Sequence, residues 1–97
     1  MGGEERRDEV TIWKYQLKMV DDQKIEMPLG SQILSVQVQH GEPCMWVAVR
    51  PDQPTVSRSI RIAGTGHHLP GWSANNFVGT FQLAGGQLVF HVFADLG

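Results

Sequence analysis

One cysteine, one tyrosine and 19% charged residues are a sparse inventory for a chain of 97 residues. A single thiol, Cys44, cannot form an intrachain disulfide, so a reducing cytoplasm is the simplest compartment. No apolar run approaches the ~20 residues of a helical membrane span. The segment Met1-Gly2-Gly3-Glu4-Glu5-Arg6-Arg7 lacks the apolar region of a signal peptide. No window carries a capped apolar stripe at helical spacing, which leaves room only for single turns near Pro28–Gln32 or Ser73–Asn76. The length excludes an enzyme built from a dinucleotide-binding domain and a separate substrate domain, and it fits one domain. A surplus of basic residues is missing too, since the net charge is -2. That argues against a nucleic-acid binder working by phosphate neutralisation.

What is present is alternation. Trp13, Tyr15, Leu17 and Met19 share one face of Thr11–Met19, opposite Lys14, Gln16 and Lys18. Asp21-Asp22 reads as a turn before a short strand over Gln23–Met27. Ile33–Gln39 alternates strictly, with Leu34, Val36 and Val38 expected inward. The turn His40-Gly41-Glu42-Pro43 leads into Cys44–Arg50, a nearly continuous apolar run expected to be covered on both faces. Pro51–Pro54 turns the chain into Thr55–Ala63. Phe77–Leu83 and Leu88–Phe93 flank a hairpin at Ala84-Gly85-Gly86-Gln87. These segments predict an all-β fold: a small antiparallel sandwich or barrel of six to seven short strands, with little or no helix. Residues 10–97 form the single domain, and the acidic leader 1–9 is expected to be mobile.

The charge is unevenly spread. Residues 1–9 carry -2, residues 10–42 carry -1, residues 43–94 carry +2, and Asp95 supplies -1. The positive excess comes from Arg50, Arg58 and Arg61, close to the longest irregular stretch, Gly64–Asn76. Within that stretch, Gly64-Thr65-Gly66-His67-His68-Leu69-Pro70-Gly71 is not a dinucleotide fingerprint, because Leu69 replaces the third glycine and Pro70 opposes a helix. No Lys-Ser or Lys-Thr pair follows, so it is not a phosphate-binding P-loop. Two readings remain. The glycines supply positive φ at a strand end, or they expose consecutive N–H groups as an anion nest, with Arg61 and His67 as further donors.

The other reactive side chains read as structural. His67 and His68 are adjacent and point apart in an extended segment, while His40 and His91 have no ligand-like spacing, so no metal is expected. His91 is expected to be half-buried and bonded to backbone. Cys44 opens an apolar strand and reads as a small core hydrophobe. No nucleophile elbow occurs and Asp21-Asp22 is a solvated corner, so no catalytic residues and no cofactor are assigned. Trp72 is out of phase with the core pattern, either as a plug or as an anchor for a ligand. The candidate ligand-binding set is therefore Arg50, Arg61, Gly64, Thr65, Gly66, His67 and Trp72.

Six ordered segments carry a resemblance: TIWKY at 11–15, IEMP at 25–28, ILSVQVQ at 33–39, RIAGTGH at 61–67, FVGTFQL at 77–83 and VFHVF at 89–93. Together they resemble a family of small, uncharacterised tailed-bacteriophage proteins over about residues 11–93. The resemblance implies an accessory product acting in the host bacterial cytoplasm, a setting in which antagonists of host defence are common. Three function classes follow. The first is a non-catalytic binder, either sequestering a cyclic nucleotide or similar immune signal, or blocking a host defence protein. The second is a small nucleotide hydrolase, and the third is a structural or assembly accessory. So short a β domain has little room for a deep pocket, which favours a homo-oligomer with sites between subunits.

Overall fold

Side chains that alternate between apolar and polar, interrupted by Gly and Pro, drive the chain into seven strands. The computed structural model describes residues 9–96. The strands are β1 Thr11–Gln16, β2 Asp22–Pro28, β3 Gln32–Gln39, β4 Glu42–Val49, β5 Thr55–Gly64, β6 Phe77–Leu83 and β7 Leu88–Ala94. Two single 3-10 turns, at Ala74–Asn76 and Ala84–Gly86, supply the helical content. All pairings are antiparallel, in a three-stranded sheet β1-β4-β3 and a four-stranded sheet β2-β5-β7-β6. The expected all-β sandwich is the observed fold. The expected leader, residues 1–9, lies outside the described residues except for Glu9.

The two sheets bury their facing sides against each other. Met45, Val47 and Val49 from β4 meet Ile60 and Ile62 from β5, Phe81 from β6 and Val92 from β7. Each fully buried aliphatic side chain contributes about 1.5–3 kcal/mol relative to exposure. The central position of β4 explains its apolar run, because Pro43, Cys44 and Met45 are all buried. His40 and Gly41 both have positive φ, at 53° and 81°, which makes a two-residue turn whose twist suits the β3–β4 hairpin. Between β1 and β2 the Gln23 side chain holds the corner, donating to the Lys18 carbonyl at 2.8 Å and accepting from the Lys18 N–H at 3.1 Å.

Several expected inward residues face solvent, for identifiable reasons. A bulge between Ile33 and Ser35 makes Leu34 the extra residue of β3, so it turns out and is 48% exposed. Val38 lies beside the hairpin turn and is also exposed. Met19 is exposed because β1 ends at Gln16, and Trp13 sits exposed on an edge strand. A second bulge between Phe77 and Gly79 puts Phe77 on the outer face, edge-on to Phe93 with centroids 5.6 Å apart. Downstream of it, β3 and β6 close one side of the sandwich: a Cβ built on Gly79 would lie 2.7 Å from Cγ1 of Val36.

One arginine belongs to this framework. Arg58 is buried and points inward from β5. Its Nε donates to Asp95 Oδ1, its Nη2 to the Asp95 carbonyl at 2.7 Å, and its Nη1 to the Ser31 carbonyl at 3.1 Å. Asp95 Oδ2 accepts from the Ser59 N–H at 2.8 Å, so the segment after β7 is tied to β5, and through Arg58 to the β2–β3 turn. The acidic Asp95 therefore neutralises part of the positive excess around it.

The single tyrosine gives the fold a spectroscopic reporter. Partial burial of Tyr15 raises its phenol pKa above 10.0 through desolvation. A raised folded pKa contributes stability that is present below pH 10 and is lost as the pH climbs through the folded value. Absorbance titration of the phenolate should show a midpoint above that of the urea-unfolded chain, and Tyr15→Phe should remove the transition.

Candidate functional site

The outer face of the four-stranded sheet carries the polar side chains that the core excludes. Ladder register lines up Asp22, Arg61, Phe93 and Phe77 across all four strands, with Ala63, His91 and Thr80 in an adjacent row. Lys24 stands opposite Ser59. Over this face folds the long connection between β5 and β6.

That connection is built from defined turns. The His67 N–H donates to the Gly64 carbonyl at 3.1 Å, and Gly66 occupies the third turn position with φ 89°. The Gly64 N–H in turn donates to Nδ1 of His67 at 3.3 Å, and the His67 ring packs so closely that a Cβ on Gly64 would sit 3.0 Å from Cε1. Gly66 is thus required by its φ and Gly64 by close approach. The anion-nest reading loses ground here, because the Gly64 and His67 N–H groups are already bonded within the turn. A second turn follows, in which the Trp72 N–H donates to the Leu69 carbonyl at 3.1 Å and Gly71 has φ 83°. Ser73 then caps the 3-10 turn with a reciprocal Ser73–Asn76 pair.

These turns aim Trp72 at the sheet. Its ring meets Phe93 with centroids 6.5 Å apart, half-buried, and it also lines a groove of about 410 Å³ with Asp22, Gln23, Lys24, Ser59 and Ile60. Trp72 is therefore packed on one side and available on the other. Lys24 also borders a second groove of about 420 Å³, shared with Lys18 and Gln16. The Lys24 ammonium has no ion-pair or hydrogen-bond partner among the described residues. Arg61 is partly committed: Nη1 contacts both oxygens of Asp22 at 3.1 Å, while its buried Nε has no partner.

The expected set is split. Arg61 and Trp72 share the outer face with Gly64, Thr65, Gly66 and His67, which lie at the end of β5. Arg50 does not join them. It follows β4 at the opposite end of the sandwich, separated by the ten-residue strand β5, about 30 Å at strand rise. His91 is bonded to side chains and not to backbone: Thr65 Oγ1 lies 2.7 Å from Nε2, and Thr80 Oγ1 lies 2.9 Å from Nδ1. Thr65 is thereby occupied in a hydroxyl–imidazole–hydroxyl chain. Lys18 and Lys24 carry no distinguishing signal in the sequence, where each is only the polar partner in an alternating strand. Among the described residues, no three His, Cys, Asp or Glu side chains converge to hold a metal ion.

A family model for a domain of unknown function, DUF7352, matches residues 9–96. The chain belongs to the DUF7352 family. The matched span coincides with the whole β sandwich, so both the groove and the Arg58–Asp95 lock lie within the DUF7352 domain. No curated protein and no solved structure matches the chain. No helix among the described residues is long and apolar enough to cross a membrane.

Proposed function

We propose that this DUF7352 protein is a non-catalytic bacteriophage accessory factor. In this reading it acts in the host cytoplasm as a homo-oligomer that sequesters a small nucleotide-derived anion. The carrying observation is the juxtaposition of Trp72 with the unpaired Lys24 ammonium in one groove of about 410 Å³. That volume falls within the ~300–1,000 Å³ range of ligand pockets. An indole face stacks on a nucleobase, and base–aromatic stacking is worth about 1–3 kcal/mol. Lys24 and Lys18 supply positive charge for phosphate. Asp22 offsets part of that charge and tempers the affinity for phosphate alone, so the base is needed for tight binding.

Thermal melting against a panel of cyclic and linear nucleotides tests the reading. A ligand at a hundred times its Kd stabilises the folded state by about 2.7 kcal/mol and raises the melting temperature. Trp72→Ala and Lys24→Ala should each lower the affinity roughly tenfold or more, which cuts the shift at the same ligand concentration by about half or more. Ligand recovered intact after heat release separates binding from turnover. A panel that shifts nothing sinks the nucleotide reading.

A further inference from the structure

Four strand edges terminate the two sheets, and they are managed differently. The edges of β3 and β6 close on each other at Val36 and Gly79. On β2, the Asp21 carbonyl accepts from the Ile62 N–H, so by alternation Asp22, Lys24 and Glu26 turn their backbone groups to the open edge. All three carry charge, which blunts that edge against pairing. On β1, the Leu17 N–H donates to the Pro43 carbonyl, so Leu17, Tyr15 and Trp13 point their backbone groups toward β4. Ile12, Lys14 and Gln16 therefore present free N–H and C=O groups outward.

Among the described residues, the β1 edge lacks the usual guards. Ile12 and Trp13 are exposed at 57% and 40%, with Val10 exposed beside them. Its one charge, Lys14, is drawn back across the sheet face, donating from Nζ to Gln39 Oε1 on β3 at 2.6 Å. Gln16 is drawn back likewise, donating to Glu42 Oε1 at 3.4 Å. Both polar side chains thus lean over their own sheet and away from the open edge.

We infer that β1 is the self-association surface, pairing antiparallel with β1 of a second copy about a two-fold axis at Trp13. This rests on the homo-oligomer in the function proposed above and names its interface. Side chains directly opposite in an antiparallel pair share a face, which restricts the symmetric registers. Centring on Lys14 sets two ammonium-bearing side chains opposite each other and is disfavoured. Centring on Trp13 sets Ile12 against Lys14 of the second copy in hydrogen-bonded pairs. It also sets the two Trp13 side chains together in a non-hydrogen-bonded pair, flanked by Tyr15, whose ring centroid lies 6.5 Å from that of Trp13. In this register no like charges face each other, and the result is one six-stranded sheet running through both copies.

Light scattering of the full chain over a micromolar-to-millimolar concentration series tests this, together with three variants. Ile12→Pro removes an N–H that serves only the open edge, and Ile12→Lys adds charge there. Trp13→Cys places two thiols across the axis at a Cα separation of about 4.5 Å, within disulfide range. The expected results are a dimer for the unmodified chain and loss of that dimer in both Ile12 variants, with unchanged far-ultraviolet circular dichroism. Trp13→Cys should give a covalent dimer with oxidised glutathione, whereas the unmodified chain, with only buried Cys44, should not. If Ile12→Pro fails to fold, the other two variants decide. A dimer that survives Ile12→Lys and does not cross-link through Trp13→Cys overturns the β1 interface while leaving self-association standing. A monomer throughout overturns both.

Discussion

Replacing Arg58 by methionine is expected to lower the stability of the domain by about 3 kcal/mol, the largest effect of any polar substitution among the described residues. Methionine keeps much of the volume, so the loss isolates the polar interactions. Removing one partner of a buried ion pair typically costs about 3–5 kcal/mol, because the other is left without compensation. The lower end applies here, since the Asp95 side chain is 39% exposed and recovers some hydration. The Ser31 carbonyl and the Asp95 carbonyl also lose their donors. Arg58→Lys should rescue little, because one ammonium cannot reproduce three separately directed N–H donors. Urea unfolding should show a lower midpoint with an unchanged slope. Asp95→Asn combined with Arg58→Met should be less than additive, the signature of a shared network.

The second expected result has a sign opposite to the usual one. Gly-to-Ala changes inside a strand ordinarily stabilise, by roughly 0.5–1 kcal/mol, because alanine loses less conformational freedom on folding. Gly79→Ala should instead destabilise by about 1–3 kcal/mol, the range for overpacking. The new methyl would lie 2.7 Å from Cγ1 of Val36, a β-branched and buried side chain with little room to rotate. Val36→Ala removes that carbon, so in its background Gly79→Ala should become neutral or stabilising. A thermal or urea double-mutant cycle reads the coupling directly. Equal effects of Gly79→Ala in both backgrounds would show that β3 and β6 do not meet at this point.

Most of the strand framework is legible in the sequence because its cause is local. A half-buried strand must alternate, and turns must use residues that tolerate their dihedrals, as at His40-Gly41 and Pro51–Pro54. The bulges at Leu34 and Val78 are not legible, because an inserted residue has no side-chain signature of its own. Each bulge shifts the phase of its strand, which puts Leu34 in solvent and Phe77 on the outer face. The arginines mislead for a different reason. Arg58 and Arg61 look like free charge in a segment with a positive excess, but Asp95 and Asp22 lie opposite them once the sheet forms. Only tertiary pairing reveals this, and the same pairing leaves Lys24 as an open cation beside Trp72. Trp72 itself was findable, being the aromatic out of phase with every strand.

Native mass spectrometry of the full chain, with and without the nucleotide that most raises its melting temperature, is the most direct single measurement. The expected spectrum shows a dimer carrying intact nucleotide, with the adduct lost in Trp72→Ala and the dimer retained. A chain that takes up no nucleotide at saturating concentration, or binds one equally well without Trp72, would contradict a ligand site in the Trp72–Lys24 groove.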